Sequence, residues 1–430
     1  MNAPSRTVGA LKPRHALAVL LTALLVPTLA QAAKPGDLDR SFGGDGWVST
    51  RIVAHEYADA VAIDSHKRIV AAGAAADDGL FGVARYRRSG RLDHSFSGDG
   101  KVTTKFSGAG IVFQWASSVA IDSRGRIVAA GGKCTYDDYP QEGGTIIGCE
   151  TPIARYKPNG SLDASFSGDG KVATDFGGTN RANSVVIDSQ DRIVIAGEGI
   201  VARYRQNGAL DPSFGTGGIA TPPTPAYLTS VAIDSQGRIV ALGDRPAGDS
   251  YRFVVMRFLS DGSPDPSFGD GGKVVRPEEG LAYAVAIDSK DQIMAAGGTL
   301  SQSGEPGDFR LAFYKEDGTR LRRWGGNGAV TTSFHDRPAR ALSVGFDSRG
   351  RIVAIGGMGH AYALARYRRN GSLDRSFSGN GKATGRFALP QRRHAGLGVR
   401  GGAIDQRDRI VVAGGGHFLL ARFIGYRPHR

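Results

Sequence analysis

Residues 119–128 have the sequence Val-Ala-Ile-Asp-Ser-Arg-Gly-Arg-Ile-Val, and related stretches recur along the chain. Repetition on this scale is typical of propellers and solenoids and outweighs local propensity. Neighbouring copies of the aspartate are 46 to 66 residues apart, and the variation falls in Gly-rich and polar segments typical of loops. The seven copies of this aspartate are Asp64, Asp122, Asp188, Asp234, Asp288, Asp347 and Asp405. The chain therefore contains seven copies of one unit.

Each unit contains four strand-like runs, which we call a, b, c and d. Strand a is the Val-Ala-Ile-Asp run and strand b the Arg-Ile-Val-Ala run, joined by a tight turn such as residues 122–126. Strand c has an Ala-Arg-Tyr pattern, as at 84–86, and strand d a Lys-Val pattern, as at 101–106. A Leu-Asp-x-Ser-Phe motif lies between c and d, and we expect its Leu92 and Phe96 to fill the blade edge.

The order of these runs predicts a closed ring. A four-stranded unit cannot bury both faces alone, so units stack into a ring or an open array. Residues 38–48 carry the c–d motif and strand d without a preceding a, b or c, whereas 420–423 form a strand c without its d. We therefore expect residues 47–52 to be the outermost strand of the blade built from 399–424.

The fold class is thus predicted as all-β, a seven-bladed β-propeller with four-stranded antiparallel blades and with the amino- and carboxy-terminal strands closing the last blade. Residues 33–430 are expected to form this single domain. The approximate blades are 58–108, 116–178, 182–221, 228–276, 282–334, 341–388, and 399–426 with 37–53.

Residues 1–32 are expected to be a signal peptide, because three basic residues precede an apolar run from Ala16 to Leu29 that ends in Ala-Gln-Ala. That run is shorter than the roughly 20 residues that span a bilayer, and no later segment is a candidate. We expect a secreted or periplasmic mature chain with no membrane span. The formal net charge of +13 is spread over repeated arginines without a basic block, which argues against nucleic acid as a partner.

The only two cysteines, Cys134 and Cys149, lie in one inserted segment and are expected to form a disulfide in an oxidising compartment. A metal site is the alternative. The absence of C-x-x-C spacing and of a nearby histidine argues against it.

The repeated motifs resemble the delta-60 repeat family, a bacterial β-propeller repeat of unknown function with Leu-Asp-x-Ser-Phe-Gly and Val-Asp-x-x-Gly-Arg-Ile signatures. The resemblance covers nearly all of the mature chain. It implies a propeller and a surface or secreted protein, and it supplies no functional residues. Blade 5 departs from the pattern: Phe313 and Gln292 replace recurring arginines, and residues 320–324 read Arg-Leu-Arg-Arg-Trp instead of Leu-Asp-x-Ser-Phe.

The repeated charges are expected to be structural. A catalytic carboxylate is needed in one place, whereas the blade aspartate recurs in every unit, in six of them together with arginines in strands b and c, which indicates ion pairs or turn caps. The Gly-rich segment 41–46 and its copies stand alone rather than in tandem, which argues against calcium. No hydrolase, zinc-protease or phosphate-loop motif occurs in a confirming context, and no cofactor or metal is predicted.

Antiparallel blades place the a–b and c–d turns on one face, which we call the repetitive face, and the b–c and d–a connections on the other, the variable face. The variable face carries an insertion at 133–150 and loops at 222–227, 299–308 and 389–394. Loops on a rigid scaffold commonly carry binding residues, and exposed aromatic residues suit sugar or peptide contacts. The candidate binding residues are Trp115, Tyr136, Asp137, Asp138, Tyr139, Tyr227, His335, His360, His394 and His417.

Five histidines, His55, His335, His360, His394 and His417, fall in variable-face loops of neighbouring blades. One hypothesis is that three of them, with Asp336 or Arg392, form a subsite for a divalent metal or an acidic ligand. The alternative is that they are scattered loop residues that share a face through topology.

Three functions remain open. The sequence favours an exported non-catalytic binding or scaffolding module for an envelope or extracellular polymer, a glycan, or a protein. The alternative is a carbohydrate-active lyase or glycosidase that uses ionisable residues of the same face, and convergent ionisable groups at the axis would favour it. A purely structural repeat protein would have no concave polar pocket.

Overall fold

The computed structural model describes residues 33–430 except 54–55, 76–78, 109–110, 139–143, 179–180, 249, 301–305, 335–336, 388–397 and 427–430. The described chain forms 28 strands in seven four-stranded antiparallel sheets, and none of its residues is helical. This confirms the seven-bladed propeller. No helix of the described chain is long and apolar enough to cross a membrane. The expected signal peptide, residues 1–32, lies outside the described residues.

Each blade contributes its four strands in the order a-b-c-d from the axis outwards. The a strands are β2 (Tyr57–Ile63), β6 (Ile111–Ile121), β10 (Ala182–Ile187), β14 (Tyr227–Ile233), β18 (Leu281–Ile287), β22 (Arg340–Phe346) and β26 (Val399–Ile404). The b strands are β3 (Ile69–Ala75), β7 (Ile127–Tyr136), β11 (Ile193–Gly197), β15 (Ile239–Ala247), β19 (Ile293–Leu300), β23 (Ile352–Met358) and β27 (Ile410–Gly414). The c strands are β4 (Leu80–Tyr86), β8 (Ile146–Tyr156), β12 (Ile200–Tyr204), β16 (Ser250–Phe258), β20 (Pro306–Tyr314), β24 (Ala361–Tyr367) and β28 (Leu419–Phe423). The d strands are β5 (Lys101–Thr104), β9 (Lys171–Thr174), β13 (Ile219–Ala220), β17 (Lys273–Glu279), β21 (Ala329–Thr332), β25 (Lys382–Gly385) and, for blade 7, β1 (Trp47–Ser49).

The hydrophobic core lies between neighbouring blades. Strands b and c are buried on both faces and read as continuous runs of Ile, Val and Ala, whereas strand a is only half-buried. One cluster of buried side chains fills each of the seven interfaces; the cluster between blades 7 and 1, for example, joins Phe42 and Leu420 to Ala71 and Tyr86. Every blade therefore depends on its neighbours for its core.

Six strand-c arginines form a repeated contact that we call the arginine clamp. Each Nε donates to the aspartate of its Leu-Asp-x-Ser-Phe motif at 2.7 to 2.9 Å, and Nη2 donates to the motif serine at 3.0 to 3.2 Å. The guanidinium lies 4.5 to 4.8 Å from the motif phenylalanine, and Nη1 donates to a backbone carbonyl of the next blade. The six are Arg85, Arg155, Arg203, Arg257, Arg366 and Arg422.

The strand-b arginines have a different partner, because they donate to the aspartate of the a–b turn at 2.5 to 2.6 Å. The expected structural role is thus confirmed, with two separate aspartates per blade. Burial raises the pKa of the clamp aspartates, but the hydrogen bonds from serine and the charge of arginine outweigh it, so each pKa lies below its ordinary value.

The ring closes as expected, with a shorter strand than the sequence indicated. Strand β1 covers Trp47–Ser49 and pairs with Leu419–Ala421 of β28. Asp39 completes the clamp of Arg422 at 2.8 Å, and Phe42 is fully buried between the last and first blades. The amino-terminal segment thus supplies a strand edge, a counter-ion and a core side chain.

The disulfide is confirmed. Cys134 and Cys149 are bonded directly across the β7–β8 hairpin with their Cα atoms 4.1 Å apart. Both cysteines are buried. The pair therefore fixes the base of the inserted hairpin and leaves no thiol for a metal.

Deletion of residues 33–50 should destabilise the protein far more than a short trim of the carboxy terminus. The loss of Phe42 from the core alone is worth roughly 3–5 kcal/mol, and the deletion also leaves the Arg422 charge buried without Asp39. Urea denaturation followed by tryptophan fluorescence measures the difference. Removal of residues 427–430 is the control, and an equal midpoint for the two truncations would contradict ring closure by the amino-terminal strand.

Candidate functional site

Each strand a carries a β-bulge that turns one residue into the central channel. The pairing register between strands a and b shifts at the same point in all seven blades, for example between Ala58 and Ala60, and leaves one residue unpaired. The strand-b residue opposite is always glycine. A Cβ on Gly131, for instance, would lie 1.9 Å from the carbonyl oxygen of Trp115, so only glycine allows the backbone to approach this closely.

The seven bulge residues form a ring that lines a cavity of about 420 Å³ on the propeller axis. They are Asp59, Ser117, Asn183, Thr229, Tyr283, Leu342 and Arg400. The rest of strand a repeats closely from blade to blade, but this position holds seven different residue types. The ring therefore has the chemical asymmetry that a specific site requires.

A second set of residues surrounds the mouth of this channel, two positions before the bulge on the variable-face side. Tyr57, Trp115, Arg181, Tyr227 and Arg340 occupy this position in five blades. Tyr57, Tyr227 and Arg340 are the first residues of their strands, Arg181 directly precedes β10, and Trp115 lies within the longer β6. We call these five residues the channel mouth.

An ion pair joins the first and last blades across the ring closure. Arg400 donates through Nη1 to Asp59 Oδ1 at 3.0 Å, and its guanidinium lies 4.1 Å from the centre of the Tyr57 ring. Burial raises the pKa of Asp59 to about 6, and Arg400 opposes that rise. Asp59 is therefore an acid that titrates close to neutral pH.

A second ionisable group lies on the opposite side of the ring, between blades 4 and 5. Asp244 accepts the Ala282 N–H at 2.6 Å, and burial raises its pKa to about 7. The pKa of Tyr283 is also raised, by burial first and by the Asp244 charge, while Arg340 lowers it. A buried carboxyl, a phenol and a guanidinium thus meet at one edge of the channel.

Blade 3 forms a saddle between two taller blades. Its b–c hairpin turns directly after Gly197, whereas β7 continues to Tyr136 and β15 to Ala247. At about 3.3 Å per residue, the four or five additional residues raise the flanking hairpins by roughly 13–16 Å. The saddle is therefore a groove that leads towards the channel mouth.

Aromatic and charged side chains form the floor of this saddle. Arg181 forms an ion pair with Glu198 at 2.9 Å and lies 5.7 Å from the Trp115 ring. Tyr227 pairs through its backbone with Glu198 and is 49% exposed. We call Trp115, Arg181, Glu198 and Tyr227 the blade 3 saddle. Of the sequence-predicted binding residues, the structure brings Trp115 and Tyr227 together here.

The other candidates of the insertion have local roles. Tyr136 packs edge-on against Phe113 at 5.4 Å. Asp137 accepts hydrogen bonds from the Thr145 N–H and hydroxyl, both at 2.6 Å, which closes the hairpin and lowers the Asp137 pKa. Asp138 follows at the exposed tip, and Tyr139 lies outside the described residues. These side chains shape the flank of the saddle.

The histidine hypothesis is not supported by the described residues. His55, His335 and His394 lie outside them, as do Asp336 and Arg392, while His360 is exposed in the b–c turn of blade 6. His417 contacts the buried Glu56 through Nδ1 at 2.8 Å. No cluster of three potential metal ligands occurs in the described part of the chain. His417, the one described histidine with an acidic partner, therefore forms a single pair with Glu56 and is not part of a cluster of described residues.

The seven bulge residues were not predicted from the sequence, because strand a was expected to be the same in every blade. Their signal is the position two residues before each Val-Ala-Ile-Asp run, the one point in strand a where the seven repeats all differ. Asp244 gives a second signal, because five of the other six blades have Ala or Gly at that point in strand b.

Comparison with known proteins supports a bacterial β-propeller repeat family. Residues 152–166, 191–214, 235–268 and 350–377 match a family described as a domain of unknown function (DUF5122) beta-propeller. No curated protein matches the chain.

Solved structures resemble the chain at low identity. Virginiamycin B lyase from Staphylococcus aureus has 9% identity over 88% of this chain and 98% of that chain, with a TM-score of 0.49. The WD40 beta propeller domain of Doa1 has 12% identity over 88% and 97%, with a TM-score of 0.47. Sqt1 from Chaetomium thermophilum has 12% identity over 88% and 99%, with a TM-score of 0.42. None of these similarities bears on activity or ligand.

Replacing Asp244 by Asn should stabilise the protein at pH 8 and should have a smaller effect at pH 5. Because the Asp244 carboxyl has its pKa raised to about 7, the folded state binds more protons than the unfolded state from about pH 4 to pH 7, and stability falls as pH rises through that window. Asn keeps the acceptor for the Ala282 N–H and has no charge to bury. The expected gain at pH 8 is on the order of 2 kcal/mol.

Urea denaturation at pH 5, 6, 7 and 8 measures this effect. Asp45→Asn, at an exposed position, is the control and should follow the wild type at every pH. A gain for Asp244→Asn that is the same at all four pH values would show that Asp244 does not titrate in this window.

Proposed function

We propose that the protein is an exported, non-catalytic binding module of the delta-60 repeat family, and that its contact surface is the variable face centred on the blade 3 saddle and the channel mouth. One observation carries this proposal. Four large apolar side chains are exposed in the described part of the chain, and all four, Ile146, Ile147, Tyr227 and Tyr251, lie in variable-face segments of blades 2 and 4. Exposed apolar groups rimmed by polar residues mark interaction surfaces.

The arrangement of these groups favours an extended polymer. The exposed residues lie on the two hairpins that flank the saddle or at its floor, so a chain crossing blade 3 would contact both sides. Trp115 and Tyr227 offer ring faces, and Arg181 and Glu198 offer hydrogen-bonding groups already held in place by their ion pair. Aromatic faces beside paired polar groups suit sugar rings, which are apolar on one face and hydroxylated at the edge. We therefore propose a glycan of the envelope or the surroundings as the ligand.

Trp115→Ala and Tyr227→Ala should each weaken glycan binding at least tenfold, which corresponds to about 1.4 kcal/mol. The test is affinity electrophoresis of the purified mature chain against soluble plant, bacterial and envelope polysaccharides, followed by calorimetry on those that retard it. Tyr426→Ala is the matched control, because this tyrosine stacks on Arg349 beyond the last strand c, on the repetitive face.

Retardation that is equal in wild type and both saddle variants would place the glycan elsewhere. Binding of proteins but of no polysaccharide would overturn the glycan and leave the saddle as a protein contact. Thermal melting of each variant shows that the fold is intact.

A carbohydrate-active enzyme is the second candidate, favoured by the raised pKa values around the channel. Asp59 and Asp244, with pKa values of about 6 and about 7, are able to exchange protons near neutral pH, as a general acid or base must. Tyr283 lies beside Asp244, which adds a phenol at the same edge. A lyase or glycosidase of this face would use Asp244 and Tyr283 on one side of the channel, or Asp59 on the other.

If this candidate holds, Asp244→Asn and Tyr283→Phe should each lower turnover at least 100-fold, about 2.7 kcal/mol in barrier height, with Asp45→Asn unchanged. Absorbance of unsaturated products from uronate polysaccharides detects a lyase, and newly formed reducing ends detect a glycosidase. Absence of product from every polysaccharide that binds, between pH 5 and pH 8, leaves the binding module.

A further inference from the structure

Blade 5 keeps the backbone of the other blades but has lost the arginine clamp. The amide of Phe313 donates to the Gly328 carbonyl at 2.9 Å, as the amide of Arg85 does to Gly100 in blade 1. Leu321 and Trp324 make the backbone bonds that Asp93 and Phe96 make. The charged side chains, however, are replaced. The position of the clamp arginine holds Phe313, that of its aspartate holds Leu321, and that of its phenylalanine holds Trp324.

An apolar cluster has taken the place of the buried charges. Phe313, Leu321 and Trp324 are buried, and Trp324 packs edge-on against Phe313 with ring centres 5.8 Å apart. The interface with blade 6 is therefore filled without an ion pair. The basic residues of this motif, Arg322 and Arg323, are exposed instead.

A groove of about 1070 Å³ with a strongly cationic lining lies beside these residues on the repetitive face. Five of its lining residues are basic: Arg276, Lys315, Arg320, Arg322 and Arg323. Gln292, Thr319 and Asn327 add neutral polar groups, and no lining residue is a carboxylate. Two acids border the groove: Asp288 accepts the Gln292 N–H at 2.9 Å, and the pKa of Asp317 is lowered by Thr319 and by the charge of Lys315.

In the other six blades, the positive and negative charges at the equivalent position balance. There the strand-b and strand-c arginines face two aspartates, whereas in blade 5 Gln292 and Phe313 remove both arginines and Leu321 removes one aspartate. The arginines now present come from other positions of the repeat. We call the five basic residues and the space between them the blade 5 groove.

Arg276 reaches the groove from blade 4 and is only partly satisfied. It occupies the strand-d position that holds Thr104 in blade 1, where the threonine hydroxyl accepts from Tyr156 of the next blade. Arg276 Nη2 donates to the Gly318 carbonyl at 3.3 Å, and the guanidinium lies 5.3 Å from the Tyr314 ring. Its Nε is buried without a hydrogen-bond partner. An unsatisfied buried N–H of a charged group costs free energy that an anion would recover.

We propose that the blade 5 groove binds a phosphate group. Several cations within one groove are best neutralised by a ligand that carries more than one negative charge on a single small group. A phosphomonoester carries about −1.5 to −2 with three acceptor oxygens, whereas a carboxylate carries a single charge. Guanidinium groups match phosphate oxygens with paired N–H donors, and four of the five basic residues are arginines. This site is independent of the proposed glycan surface, since it lies on the opposite face.

The first test is calorimetric titration of the mature chain with inorganic pyrophosphate at about 50 mM salt. Arg322→Gln combined with Arg323→Gln should lower the affinity at least tenfold, and the affinity should fall steeply as salt is raised. Both residues are exposed, so the double variant should melt with the wild type. Arg375→Gln is the matched control, because Arg375 holds the same motif position as Arg322 in blade 6, beside an intact clamp. It should bind within twofold of the wild type.

Citrate tests whether phosphate itself is recognised, since it carries similar charge on carboxylates. Citrate binding at least tenfold weaker than pyrophosphate supports the proposal, and equal binding overturns it in favour of charge attraction alone. No heat with pyrophosphate, or equal affinity in the double variant and the wild type, also overturns it.

Two further probes distinguish the source of the phosphate. Sedimentation with phosphatidic acid vesicles, whose headgroup is a phosphomonoester, against phosphatidylcholine vesicles, supports a lipid headgroup when it is lost in the double variant. Binding of mannose 6-phosphate without vesicle binding supports a phosphorylated sugar.

Discussion

A guanidinium has five N–H donors. Each of the six buried clamp arginines uses these donors to bind both its own blade and the next one. Nε and Nη2 bind the aspartate and serine of their own c–d motif, and Nη1 binds a backbone carbonyl of the following blade. A buried charge without its partners is strongly destabilising, so this geometry fixes both the c–d motif and the distance to the next blade. In the last blade the aspartate and serine come from Asp39 and Ser41, so the clamp of Arg422 also closes the ring.

Blade 5 shows what the clamp does and does not contribute. Phe313, Leu321 and Trp324 fill the same space with apolar atoms, and the backbone bonds of the motif persist. Replacing a buried ion pair by well-packed apolar side chains is often neutral or stabilising, so the clamp is better understood as a device that specifies register than as a source of net stability. Blade 5 does without the clamp, so its motif positions can hold other residues. Some of them hold the basic residues that line the blade 5 groove.

The seven-bladed architecture could be predicted because three features of the sequence agree. The repetition, the strand alternation and the unit that is divided between the two chain ends all indicate a closed ring of four-stranded blades. The disulfide was predicted because the only two cysteines lie in one inserted segment of a chain that is expected in an oxidising compartment. The channel was missed for a physical reason. Alternation with period two assigns each strand residue to one face, but a bulge adds a residue and breaks the alternation at Asp59 and its equivalents. Asp59 and Arg400 also meet only through closure of a ring, which no local pattern encodes. The invariant glycine of strand b, Gly131 in blade 2, was the available sign that the backbone approaches closely there.

The two proposed sites differ in whether their basic residues are paired with carboxylates, and this difference comes from the blades in which the sites lie. At the saddle, Arg181 is already paired with Glu198, so a neutral, hydroxylated ligand loses little by leaving water there. In the blade 5 groove no lining residue is a carboxylate, so a phosphate gains more than a neutral ligand does. One site lies at the b–c hairpins and the other at the c–d motif, which antiparallel strands place on opposite faces of the disc. Close-packed interfaces hold the blades rigidly between them, so occupation of one face leaves the other open. A ring that binds a glycan on one side and a phosphate-bearing surface on the other would link the two.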